Sequence, residues 1–182
     1  MLSSMYLCKP SPAAVQNWKG ALGEDASIFL QDLKKAVSEI DTSSEEELEE
    51  LACEYTRLFI GPYKLPCPPW ESVYTSPKKL MMQDAAEQVS NIYREMGLAI
   101  GSGDVMPDHI GAELNFLGVL FGKMNEEPEN KEAYVGIMQK FFEEHLNQWV
   151  FRFTSDMEES TDSAFYKALA KATGDILHGI GG

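Results

Sequence analysis

The sequence predicts an all-α fold, a single domain spanning residues 1–182 and built as a bundle of six or seven helices with a proline-rich loop in mid-chain. Three observations lead there. Apolar residues recur at steps of three and four along most of the chain, and the strict alternation of a strand hardly occurs. With 182 residues, 44% hydrophobic and 24% charged, the chain has the size and composition of one soluble domain with a substantial core. Finally, "PCPPWESVY" (Pro66 to Tyr74) cannot be the interior of a helix or a central strand, because proline fixes φ and donates no N–H.

The elements follow in order. Phe29, Leu33, Val37 and Ile40 form the stripe of an amphipathic helix. "SSEEELEELACEYTRLF" opens with a capping box, Ser44 and Glu47, and its acidic first turn suits the positive end of the helix dipole. Leu48, Leu51, Tyr55, Leu58 and Phe59 form its apolar face, and Gly61-Pro62 stops it. The proline loop runs to Pro77. A helix over about 77–96 turns Met81, Ala85, Val89, Ile92 and Met96 inward and stops at Gly97.

After a flexible connection, "GLAIGSGDVMP", comes "DHIGAELNFLGVLFGKM". Its stripe Ile110, Leu114, Leu117, Phe121 and Met124 is joined by Phe116 and Leu120 on another side, the pattern of a central helix packed all round. Gly111, Gly118 and Gly122 share a face with Asn115. Each helical glycine costs about 1 kcal/mol relative to alanine, so that face is expected to admit a second backbone. "EAYVGIMQKFFEEHLNQWVFRF" carries Val135, Met138, Phe142, Leu146, Trp149 and Phe153 with Phe141 alongside, and a last helix uses Phe165, Leu169, Ala172 and Ile176. "NEEPENKE" and "TSDMEESTDS" read as solvated linkers.

A formal net charge of −14 opposes nucleic acid or an anionic membrane surface as partner and favours a cationic one. The three cysteines, Cys8, Cys53 and Cys67, have neither disulfide-framework nor zinc-site spacing and suit a reducing compartment. The N-terminus lacks the basic start and apolar run of a secretory signal, and no apolar stretch is long enough to span a membrane. A cytoplasmic protein is expected.

Catalytic signals are weak. His109 and Glu113 stand at i and i+4 in "DHIGAE", a spacing that could hold a metal, but one pair falls short of the three or four ligands such sites use. Asp108 at the helix start reads equally well as a cap. His145 lies beside an apolar stripe, as a hydrogen-bonded core histidine would. There is no G-x-S-x-G elbow, and "GSG" (101–103) follows no strand, so a phosphate cradle has little support. No enzyme, cofactor or resident metal is expected. A metal-dependent helical hydrolase using His109 and Glu113 is an alternative. Trp70 and Tyr74 on a proline-stiffened loop can plug the core or form a binding platform; pre-set backbone lowers the entropy lost on binding, and both rings pair an apolar face with a polar tip.

Four motifs in order, "YTRLFIGP" (Tyr55 to Pro62), "PPWESVY" (Pro68 to Tyr74), "PDHIGAELNFL" (Pro107 to Leu117) and "FFEEHLNQWVFRF" (Phe141 to Phe153), together resemble the TorD/DmsD/NarJ-type redox enzyme maturation chaperones. The resemblance covers about residues 55–153. It implies an all-helical cytoplasmic protein that binds the twin-arginine signal peptide of a molybdoenzyme precursor, the precursor of a molybdenum-containing oxidoreductase subunit, until cofactor insertion is complete. It places peptide binding at Trp70, Ser72, Tyr74, Asp108 and His109, with Arg57 and Glu113 inside the matched motifs. Guanine nucleotide binding, suggested within that family, is a second alternative.

Overall fold

The computed structural model describes residues 1–23, 27–62, 64–82, 84–98 and 105–181. The α-helical segments are α1 (Leu2–Leu7), α2 (Pro12–Ala21), α3 (Gln31–Glu39), α4 (Glu45–Phe59), α5 (Glu71–Thr75), α6 (Asp84–Glu95), α7 (Ile110–Glu126), α8 (Lys131–Phe141), α9 (Asn147–Ser160) and α10 (Ala164–Gly181). A π turn, Phe142–Leu146, joins α8 to α9 without a break. Read as one helix, these give nine helices among the described residues and no strand, so the fold is all-α but has more helices than the six or seven expected.

The excess has local causes. Ser11 caps α2 by accepting the Ala14 N–H at 3.2 Å, and Pro12 stands at its first position, the most favourable pairing for starting a helix. Together with the short α1, this gives helices to a stretch in which the hydrophobic spacing marked none. Further along, α5 forms a single turn directly after the prolines. The helix expected from residue 77 begins only at Asp84; before it, Lys79 and Met82 adopt positive φ, and Met81 is 39% exposed.

Helix ends were more readable. Ser44 caps α4 through the Glu47 N–H, and Gly61 ends it at φ +108°, a conformation glycine adopts without a Cβ clash. Gly97 stops α6 in the same way at φ +68°. The chain divides into two compact units, one formed by Met1–Pro68 with Arg152–Gly179, the other by Pro69–Phe151 with the C-terminal residues from Ile180.

In the first unit the core is aromatic. Phe59 lies at ring-centroid distances of 5.9 Å from Tyr6, 5.3 Å from Tyr55 and 6.0 Å from Tyr166. Such contacts add to the area buried. Each phenol finds a partner, as a buried hydroxyl must: Tyr6 shares a hydrogen bond with Thr173, Tyr55 donates to the Tyr6 carbonyl and Tyr166 donates to the Leu51 carbonyl. Phe29 is the exception to its predicted stripe. It sits in a 3₁₀ turn ahead of α3 and is 46% exposed. "TSDMEESTDS" is no linker over its first part, because α9 continues to Ser160 and Met157 is fully buried.

In the second unit Tyr93 of α6, Phe116 of α7 and Phe141 of α8 form the centre, with Phe116 and Phe141 4.7 Å apart. The π turn adds a residue to one helical turn and rotates the rest of the helix by roughly 100°. Phe141 and Phe142, both buried, stand where α8 passes into this turn. Helix α7 is not packed all round: Phe121 is 47% exposed, Gly118 lies on the surface, and a Cβ at Gly118 or Gly122 would meet nothing within 4 Å. Among the described residues no second backbone comes close to Gly118 or Gly122, where that approach was expected. Among the described residues no helix is long and apolar enough to cross a membrane.

Because Phe59 fills the centre of the aromatic cluster, Phe59→Ala is expected to cost about 3–5 kcal/mol, read as a lower urea midpoint of unfolding.

Candidate functional site

The proline loop is held by backbone. Trp70 and His109 form an isolated antiparallel bridge, in which the Glu71 N–H donates to the Asp108 carbonyl and the Ile110 N–H to the Pro69 carbonyl, both at 2.9 Å. Proline removes N–H donors but leaves carbonyls, so Pro69 can still take part. The Asp108 carboxylate extends this seam by accepting the Ser72 N–H at 3.0 Å. It therefore serves the first turn of α5, whose opening N–H groups have no helical partner.

His109 caps α7. Its Nδ1 accepts the Gly111 N–H at 3.0 Å, which leaves the proton on Nε2. Burial holds the imidazole at a pKa of about 4, below its ordinary 6.5, so it is neutral near pH 7. The Tyr93 hydroxyl donates to the Pro107 carbonyl at 3.2 Å, fixing the approach to this turn. Thus Asp108, expected at the cap, bonds across to α5 while its neighbour does the capping.

The two aromatics of the loop are half-buried. The Trp70 ring meets the His109 ring edge-on at 5.9 Å, and the Tyr74 ring lies 5.4 Å from that of Trp149. By contrast, Ser72, Asp108 and Glu113 each show 0% exposure. Five of the residues named from the resemblance, Trp70, Ser72, Tyr74, Asp108 and His109, are thereby gathered around one seam, with Glu113 on the first turn of the same α7. Arg57 is elsewhere, in the first unit, where its guanidinium is held by both Glu54 carboxylate oxygens and the Ser160 carbonyl.

Beneath the seam lies a sealed polar network that the sequence only partly disclosed. His145, in the π turn, bonds through Nδ1 to the Glu71 carboxylate at 3.0 Å, and both are buried. It is the hydrogen-bonded core histidine its position suggested. The Trp149 indole N–H donates to Glu113 Oε2 at 3.2 Å. Burial, then the negative charges of Glu71 and Asp108, push the Glu113 carboxyl well above its ordinary range. Glu113 Oε1, Asp108 Oδ1 and Ser72 Oγ have no partner among the described residues, and an uncharged Glu113 limits the cost of that arrangement. Glu71, His145 and Trp149 all fall inside the quoted motifs. What was missing was their convergence from α5, the π turn and α9.

His109 Nδ1 is occupied and Glu113 bonds to an indole, and among the described residues no group of three or more His, Cys, Asp or Glu side chains is placed to hold a metal. Cys67 is buried with its thiol pushed up to about 12 by desolvation, far from the thiolate that nucleophilic chemistry needs. "GSG" lies outside the described residues.

Glu113 binds its proton more tightly in the folded chain than in the unfolded one. Its contribution is therefore complete below the ordinary 4.5 and is lost as the pH rises towards the raised value. Glu113→Gln, which keeps a neutral acceptor for Trp149, should flatten the decline of the urea midpoint between about pH 5 and pH 8. An unchanged decline would contradict a protonated Glu113.

Known proteins agree with the motif reading. The sequence model for the nitrate reductase delta subunit matches residues 19–155. The chain is 28% identical over 163 residues to a Haemophilus influenzae protein named "Probable Tat proofreading chaperone DmsD", covering 89% of this chain and 71% of that one. It is 25% identical over 163 residues to the "Chaperone protein TorD" of Vibrio parahaemolyticus, covering 86% and 75%. A crystal structure of a candidate redox enzyme maturation protein from Archaeoglobus fulgidus superposes with a TM-score of 0.66 at 22% identity, over 96% of this chain and 90% of that one; this likeness concerns the fold. The resemblance to the TorD/DmsD/NarJ group carried by the four motifs is thus shown across most of the sequence, and the chain belongs to the nitrate reductase delta subunit family.

Proposed function

We propose that this protein is a cytoplasmic chaperone, not an enzyme, that binds the twin-arginine signal peptide of a molybdoenzyme precursor and holds it until the molybdenum cofactor has been inserted. One observation carries the reading to a place on the molecule: two half-exposed aromatic side chains, Trp70 and Tyr74, stand on a backbone locked by the Asp108 seam. Pre-organised rings lose little entropy when a peptide docks.

Energetics assign the roles. Exposed ion pairs contribute ~0–1 kcal/mol each, while micromolar affinity needs about 8.2 kcal/mol. Apolar side chains of a leader, at about 1.5–3 kcal/mol each when buried, are the larger source. Trp70 and Tyr74 offer them a surface. Asp108, Ser72 and Glu113 are sealed and act by positioning that surface, while the net charge of −14 draws the basic leader in. His109, neutral and against Trp70, sets the ring's orientation.

Trp70→Ala should weaken binding of a labelled twin-arginine leader peptide by at least about tenfold, the loss of one well-packed aromatic contact, while far-UV circular dichroism stays that of the wild type. Unchanged affinity would remove the platform from the reading; loss of helix would make Trp70 a structural plug.

A further inference from the structure

The second unit holds a cavity of about 440 Å³ between α6 and the end of α8 with its π turn. We infer that it is a binding site for a small uncharged aromatic molecule carrying one hydrogen-bond donor, a phenol or an indole by chemical class. The inference stands on the cavity and on His145, and it does not depend on leader binding.

Two helix faces make the cavity. Ile92 and Met96, one turn apart at the end of α6, and Ile137, one turn before Phe141 in α8, line it and are only half-buried. Phe141 and His145, again one turn apart, form its base and are 1% and 2% exposed. Their rings lie 5.2 Å apart and are inclined by 35°. An aromatic base between aliphatic side chains and a pliable thioether suits a flat apolar ring.

His145 supplies the polar point. Its Nδ1 is held by the Glu71 carboxylate at 3.0 Å. A carboxylate can only accept, so that nitrogen carries the proton, and Nε2 of the neutral ring is left as an acceptor. Nε2 lies across the ring from Nδ1, and His145 borders the cavity whereas Glu71 does not. No hydrogen bond to Nε2 is formed among the described residues. A polar atom on so nearly buried a side chain is costly until a partner donates to it. One polar group converging on a mostly apolar hollow is the pattern of a small-molecule site.

Size and charge select the occupant. The volume of about 440 Å³ falls within the roughly 300–1,000 Å³ of such sites. The ten residues that line it are far fewer than the about 20–30 a side of a stable protein interface, which argues against a second copy or a partner protein. At the mouth, Glu95 and Glu144 are exposed, and Lys140 lies 4.0 Å from Glu144. That leaves one carboxylate in excess and disfavours an anion such as a phosphate ester. The Nε2 lone pair then asks for an O–H or N–H on the ring.

The test compares indole with 1-methylindole, which keeps the ring system and lacks the N–H. Each is titrated into the isotope-labelled full-length protein and followed by amide shifts. Indole should move amides within residues 88–96 and 137–145. 1-Methylindole should bind about fivefold or more weakly, since Nε2 is then left without a donor. I137W, whose larger ring fills the hollow, should lose indole binding while its far-UV circular dichroism stays that of the wild type, and W70A should bind indole as the wild type does. The wild-type comparison does not depend on how I137W folds. The proposal is overturned if the two compounds bind equally (apolar adsorption only), if the shifts lie elsewhere, if folded I137W binds indole normally, or if W70A abolishes binding. It is also overturned if the same amides shift when the protein is concentrated without indole, which would assign the cavity to a second copy.

Discussion

The Asp108 side chain holds the candidate site together. A buried carboxylate that accepts a backbone N–H is a charge-assisted bond, about twice as strong as a neutral one. Here it joins the first turn of α5 to the start of α7, between residues 36 apart in sequence. The adjoining bridge between Trp70 and His109 supplies two more bonds in parallel. Without this seam the five residues of α5 would have little reason to stay helical, because so short a helix cannot offset its own nucleation cost. The position of Trp70 is therefore set by tertiary bonding and not by local propensity.

The same constraint explains the sealed acids. Glu71, carried by α5, must sit beneath the seam, where His145 meets it, and Glu113, one turn into α7, is brought near it. Three carboxyl groups in one buried region would repel one another if all were ionised. The raised pKa of Glu113, set by burial first and then by Glu71 and Asp108, relieves part of this repulsion. The π turn that follows α8 carries His145, which meets Glu71 there.

Much of this was legible in the sequence. The stripe of α4, its Ser44 cap and its Gly61 stop follow from propensity and spacing, and so does the inward placing of Tyr55, Phe59 and Phe153. Helix α2 could also have been found, since Ser11-Pro12 is a recognisable start; the hydrophobic spacing after it was too sparse to draw notice. The π turn was out of reach, because a 3.6-residue period absorbs one extra residue as a second apolar side. Two glycines of α7 misled for a related reason: Gly118 and Gly122 tolerate close packing but do not require it, and among the described residues nothing lies within 4 Å of a Cβ placed there. The motifs named Trp70, Tyr74, Asp108 and His109, which the fold gathers around one seam. That Asp108 is buried and bonded to the Ser72 N–H was not legible, because it depends on the meeting of α5 with the start of α7.

In the proposed reading charge and apolar surface divide the work: long-range attraction would come from the exposed acids, and fixed geometry from the buried ones. Amide hydrogen exchange at Glu71 and Ser72, in the wild type and in Asp108→Ala, tests the brace most directly. The account predicts that both amides are protected in the wild type nearly as well as the interior of α7, and that Ser72 loses its protection in the variant while Phe116 and Leu120 keep theirs. Exchange of Ser72 in the wild type at the rate of an exposed loop would contradict it.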